Sequence, residues 1–303
     1  MTELSNFILR RGTPDDGLAV YRVLWDAVSD LVTRTGGAPF EGAVEAFWER
    51  RAPLDRHLAG TAAEYWVAED AEDGEVFGYA RSVENDGLFE LAEFFLRPGR
   101  QSGGIGRQLL DRTFPPGRGR TRAIMATVDP RAIRSYHRVG TVARFPMFEL
   151  GGTPAPVEVA TDLVTRRIDH APTDLAALDA LDLEVIEHRR PGDHRWRLET
   201  REGYLFLRRG RPVGYGFVSE RGFGPYLALD AADMPAVLAQ AETRAHQLGA
   251  TNMYFILPGH NAHGMHHLLG RGFKIDPFIT LFMSDRAFGQ FDRYAIFTPQ
   301  LIL

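Results

Sequence analysis

LAEFFLRPGRQSGGIGRQLLDR, Leu91 to Arg112, is the stretch on which the reading of this chain turns. Its apolar strand stops at Arg97-Pro98, a loop holding Gly103, Gly104 and Gly106 follows, and apolar positions at helical spacing begin near Ile105. At the start of a helix the first N–H groups have no carbonyl one turn back, so several of them converge on a spot just beyond the strand. Such a spot cradles an anion. The glycines leave main chain uncovered by Cβ atoms, and Arg100, Gln101 and Arg107 can add side-chain donors around it.

Three readings of this loop compete on the residues alone. A triphosphate loop of the Gly-Lys-Ser/Thr kind is excluded, because Lys274 is the only lysine. A dinucleotide fingerprint would use Gly104-Ile105-Gly106 at the helix start and Asp129, 23 residues after Gly106, as the ribose-binding acid. Against it, Leu109 stands where a third glycine belongs, and the loop follows a fourth strand instead of a first. A plain structural turn is the third reading.

Outward from this run the chain reads as a duplication. Each half opens with a short extended run (Phe7 to Arg10; Val164 to Ile168) and a helix start marked by Pro14 or Pro172. Apolar residues at helical spacing follow: Leu18, Tyr21, Leu24, Trp25 and Val28 in the first half, Leu175, Leu178, Leu181 and Val185 in the second. A hairpin comes next in both, with Phe77-Gly78-Tyr79 echoed by Val213-Gly214-Tyr215. A further strand, a helix, a strand and a short helix complete each unit. The fold class is therefore α/β, a mixed sheet flanked by helices in each of two modules, residues 1–152 and 153–303. The Gly/Pro-containing stretch from Gly151 to Leu163 is read as the link.

At 303 residues the chain has room for two such cores, and 44% hydrophobic with 25% charged residues describes a globular protein. A net charge of -5 gives no reason to expect nucleic acid as a partner, and the arginines are scattered. Zero cysteines exclude disulfides, thiolate metal sites and a cysteine nucleophile. No apolar run suits a membrane span or a signal peptide, so a cytoplasmic location without membrane contact is expected. His263 and His267 stand four residues apart, yet no acid nearby supplies a third ligand, and no metal is expected.

Gln101-x-x-Gly104-x-Gly106 resembles the Gln/Arg-x-x-Gly-x-Gly/Ala signature of the GNAT superfamily, the Gcn5-related N-acetyltransferases, and lies after the fourth strand as that family places it. Asp129-x-x-Ala132-x-x-x-Tyr136-x-x-x-Gly140 is similar to the family's later motif, with Asp for Asn and Thr141 for Phe. In the second half Asn261, Gly264, Gly272 and Phe273 keep that later frame, but Leu268 replaces the Tyr. The second loop, LALDAADMPA from Leu227, has no glycine, and Asp230 and Asp233 would repel a pyrophosphate. The chain thus resembles a tandem GNAT protein, in the two-module manner of mycothiol synthases, with a degenerate C-terminal copy.

The resemblance implies acetyl-CoA as co-substrate, lying between splayed fourth and fifth strands, with direct attack by an amine in a ternary complex. It assigns Phe95, Leu96, Gln101, Ser102, Gly103, Gly104, Ile105, Gly106, Arg107 and Arg131 to the coenzyme. A backbone N–H around Phe94 to Leu96, on a bulged strand, would polarise the thioester, and Tyr136 would protonate the departing thiolate. Glu90 or Glu93 would be the base; their odd spacing predicts opposite faces, so that one at most serves. The acceptor is expected to be a small-molecule or peptide amine, walled by Phe40, Phe47 and Trp48 with Glu41, Glu45 and Glu49, and the protein a monomer or homodimer. A non-catalytic acyl-CoA-binding or sensing protein is the alternative. Amino-acid transfer from charged tRNA, as in Fem-type tandem GNAT proteins, is disfavoured by the intact loop and the acidic charge.

Overall fold

The computed structural model describes residues 7–100 and 104–301, so Gln101, Ser102 and Gly103 lie outside the described residues. The chain divides into two compact units. The first reaches Ile124 and includes Asp129–Val142; the second holds Met125–Val128 and the chain from Ala143 on.

In the first unit β1 (Phe7–Arg11) leads to α1 (Gly17–Arg34) and α2 (Val44–Thr61), then to β2 (Ala62–Asp70), β3 (Val76–Asn85) and β4 (Leu88–Leu96). After these come α3 (Ile105–Thr113), β5 (Thr121–Thr127) and α4 (Pro130–Arg138). The strands run in the order β1-β2-β3-β4-β5, antiparallel except for the parallel pair β4–β5. The entry into α1 is fixed locally: Asp16 accepts from the Thr13 backbone N–H (2.7 Å) and from Arg10 (2.6 Å), which ties strand to helix.

β2 and β3 bury both faces of the sheet, and a bulge at Phe77, between the pairs Ala68↔Gly78 and Glu69↔Val76, puts Phe77 and Tyr79 on opposite ones. Val67 and Tyr79 join Val20 and Val23 of α1 on one face, while Ala68, Phe77 and Ala80 meet Ile105 and Leu109 of α3 on the other.

The second unit repeats the order. β6 (Val142–Gly152) is followed by β7 (Val164–Arg167), α5 (Pro172–Ile186), α6 (Pro191–Thr200) and the meander β8 (Glu202–Arg208), β9 (Arg211–Val218) and β10 (Phe223–Ala228). Then come α7 (Met234–Gln247), β11 (Met253–Pro258), α8 (Ala262–Gly270) and the short β12 (Lys274–Ile275), β13 (Thr280–Ser284) and β14 (Tyr294–Ala295). One sheet runs β14-β10-β9-β8-β7, and a second group runs β13-β6-β11 with β12 also on β6.

The start of the expected link is strand. β6 continues to Gly152, which pairs with Met253 and faces the Phe273 ring so closely that a Cβ would stand 2.9 Å from it. The expected module boundary after residue 152 follows the sequence repeat, whereas compactness places β6 from Ala143 with the second unit. No helix among the described residues is long and apolar enough to cross a membrane.

Candidate active site

The start of α3 has the geometry read from its glycines. Gly104 sits at φ 75°, the left-handed region, immediately before the helix. The N–H of Gln108 makes its bond to the Gly104 carbonyl (3.1 Å), so those of Ile105, Gly106 and Arg107 precede the first intrahelical acceptor. Among the described residues no side chain caps them, and nothing lies within 4 Å of the place a Cβ would take on Gly104.

Gly106 has a different task. A Cβ there would stand 3.2 Å from Leu96 Cδ1 and 3.3 Å from Phe94 Cζ, so its bareness lets α3 close on β4. Ile105 is buried in the same contact, and Leu96 packs beside it. Phe95 turns the other way, its ring 5.8 Å from that of Tyr79. Arg107 extends into solvent, 82% exposed and 3.6 Å from Asp111.

The fourth strand carries the departure from expectation. Arg81 stands opposite Glu93 and Ser82 opposite Leu91, so Ala92 is an extra residue, a bulge in β4. Glu90 stands opposite Val83. Arg81 and Val83 are two apart on β3 and share a face, hence Glu90 and Glu93 also share one, the face toward α1 and α2. The odd spacing had predicted opposite faces; the inserted residue restores the phase. Past the bulge the strands part: the parallel ladder ends at Leu91↔Ile124, while β4 runs on to Leu96.

Both acids are buried, Glu90 at 0% and Glu93 at 2% exposure. Arg51 of α2 binds one Glu93 oxygen, and Arg81 Nε lies 3.4 Å from the other. Arg81 also donates to the Asp55 carboxylate (2.5 Å) and carbonyl (3.1 Å), its guanidinium over the Tyr65 ring at 4.3 Å. Burial would lower the Arg81 pKa, yet Glu93, Tyr65 and Asp55 hold it above its ordinary value. Sequence reading missed Arg51, Asp55 and Arg81. The available signal was Arg81 itself, a charge between the inward residues Tyr79 and Val83 that could not be buried without partners.

α4 places the remaining candidates. Asp129 caps it by accepting from the Arg131 N–H (2.8 Å), and Arg131 Nη2 (2.7 Å) and Arg34 (3.0 Å) donate to the same carboxylate. The Asp replacing the family's Asn therefore does a cap's work, and Arg131 is engaged by it. Those bonds, Arg131's above all, hold the Asp129 carboxyl well below its ordinary range. Tyr136, two turns on, is buried, with its ring edge-on to Phe94 at 6.3 Å. Burial, with the Asp129 charge adding, pushes its phenol well above the ordinary value, so it keeps its proton at neutral pH.

The corresponding turn of the second unit carries acids in place of glycines. Asp230 accepts from the Ala232 N–H (2.9 Å), and Asp233 is held by Arg208 (2.8 Å), which also holds Asp162 (2.7 Å). Leu268, in the place of the tyrosine, is fully buried, and Asn261 caps α8 through the Gly264 N–H (2.9 Å).

Residues 61–140 match the family model described as an acetyltransferase (GNAT) domain. No curated protein matches the sequence. Among solved structures, a putative acetyltransferase from Pyrococcus horikoshii superposes with a TM-score of 0.75 at 17% identity, covering 99% of this chain and 98% of that one. A GCN5-related N-acetyltransferase from Sphaerobacter thermophilus gives 0.59 at 15% identity, covering 92% and 95%. A tandem GNAT protein from the clavulanic acid biosynthesis pathway gives 0.52 at 15% identity, covering 92% and 98%. These likenesses establish a shared fold.

Proposed function

We propose, for a chain that carries a GNAT acetyltransferase domain over residues 61–140, that its first unit moves an acetyl group from acetyl-CoA to the amine of an acceptor by direct attack in a ternary complex. The observation that carries this reading is the start of α3. Gly104 leads into helix whose first N–H groups have no side-chain cap among the described residues, beside a β4 that has lost β5 as its partner.

The residues present fit the coenzyme. The N–H groups of Ile105, Gly106 and Arg107, with Gln101, Ser102, Gly103 and Gly104 before them, would take the diphosphate. Phe95 and Leu96 offer the exposed ladder edge of β4 to the pantetheine amides, and a β4 N–H beyond Ala92 would bind the thioester oxygen as charge develops there. Arg107 and Arg131 lie near enough in sequence to these helix starts to attract phosphate, although Arg131 must then share itself with Asp129.

Glu93, with a guanidinium at each oxygen, positions α2 on the sheet. Glu90, one residue before the ladder ends and on the same face as Glu93, would take the proton of the attacking ammonium. Tyr136 supplies a proton to the departing thiolate, oriented by its edge-on contact with Phe94. The acceptor amine enters from the α1 and α2 face, where Glu90 and Glu93 point.

Calorimetric titration of acetyl-CoA into the protein and into Gly104→Glu tests the reading. One site is expected, lost in the variant, whose side chain brings a negative charge and backbone strain at φ 75°. Two sites, or undiminished binding by the variant, would remove its basis.

A further inference from the structure

Five aromatic side chains meet on α1, α2 and the loop between them. Trp25 lies 4.9 Å from Phe40 and 4.8 Å from Phe47 between ring centroids, and Tyr21 lies 6.3 Å from Trp25 and 5.6 Å from Trp48. The loop is pinned into this group by the Phe40 N–H, which donates to Ser29 Oγ (3.0 Å). Packing of the two helices accounts for Trp48, which covers Gly17 at 2.8 Å from the position of a Cβ. It does not account for Phe40 and Phe47, which remain 39% and 38% exposed.

The cluster is anchored over one end of β4. Asp26, next to Trp25, pairs with Arg97 just beyond that strand at 3.0 Å. Arg51, one turn after Trp48, pairs with Glu93 inside it. Both helices are therefore fastened to β4, or to the residue that follows it, past the point where it has left β5.

We propose that this cluster receives the aromatic ring of the acceptor, so that the preferred substrates are primary amines carrying an aryl group on a short chain. The inference rests on the transferase reading above and adds the acceptor class. Exposed aromatic side chains suit another flat apolar ring, and the fastenings hold the helices that carry them at the β4 end at which the amine would react. A second copy of the chain is a poorer occupant. Two phenylalanines at this exposure offer on the order of 150 Å², against about 800 Å² per partner in a stable interface.

The test compares acetylation of 2-phenylethylamine, n-propylamine and spermidine. The aryl amine is expected to show kcat/KM about tenfold or more above n-propylamine, the return on burying one ring. Phe47→Ala should cut the aryl amine about tenfold more than n-propylamine, through KM, and Phe40→Ser should act in the same direction if the first variant folds poorly. Equal kcat/KM for the aryl and alkyl amines, or equal loss on both in the variants, overturns the aryl assignment. Turnover of spermidine alone overturns it while leaving the transferase reading intact, and no turnover of any amine despite acetyl-CoA binding removes both.

Discussion

Arg81 Nε lies 3.4 Å from Glu93 Oε2 across the β3–β4 ladder, with both side chains sealed from solvent. The pair, with Asp55 and Arg51, joins α2 to the sheet through charge in a place that apolar packing would ordinarily fill. Its removal is correspondingly costly. Arg81→Met strips the Asp55 carboxylate of this guanidinium and leaves one Glu93 oxygen facing apolar atoms, and is expected to lower unfolding free energy by about 3–5 kcal/mol, read from denaturant midpoints. A loss under about 1 kcal/mol would mean that water reaches the network.

Tyr136→Phe removes one oxygen and keeps the ring against Phe94. If the phenol serves the departing thiolate, kcat should fall about 100-fold while the dissociation constant for acetyl-CoA stays within about twofold. Unchanged kcat would reduce Tyr136 to a packing residue of α4.

Gly106 separates two effects that Gly104 combines. Gly106→Ala adds a methyl 3.2 Å from Leu96 Cδ1 and should push α3 off β4, costing about 1 kcal/mol of stability and weakening acetyl-CoA binding together. Gly104→Ala meets no atom of the described residues within 4 Å but must hold φ 75°, and should cost about 1–2 kcal/mol in stability. Thermal melts with calorimetry read both; equal behaviour of Gly106→Ala and wild type would show that the helix has room to spare.

Glu149 provides the pH dependence. Burial, with the Asp276 charge adding, lifts its carboxyl to about 7. A carboxyl raised on folding favours the native state in its protonated form, so this contribution is complete below about pH 4.5 and disappears as pH climbs through 7. Glu149→Gln imitates the protonated form and should be more stable than wild type at pH 8 by about 1–3 kcal/mol, with the two converging near pH 4.5. Parallel stability curves across that range would place Glu149 in contact with water.

The elements that proline and glycine punctuate were legible in the sequence. Pro14 and Pro172 open helical segments, and α3 begins at Ile105 as its period indicated. What escaped has a common physical cause. The Ala92 bulge reverses the facing of Glu93, yet an alanine carries no mark of being the extra residue; only its partner strand shows it. Arg81 finds Asp55 26 positions away in sequence, across a helix–strand contact that periodicity does not report. Gly151 and Gly152 looked like a link because glycine usually breaks strands, whereas Gly152 is kept bare by Phe273 lying over it. Of the candidate coenzyme loop the structure describes the exit, Gly104 at φ 75° before α3.

Arg208 grips Asp233 at the turn before α7 and Asp162 in the stretch that follows β6. A bend whose acidic partner is already supplied by its own polypeptide has little to gain from an added nucleotide. Asp162 is 63% exposed at its side chain, which leaves this clasp open to screening. Rising ionic strength should therefore loosen the C-terminal bend, and coenzyme concentration should leave it indifferent.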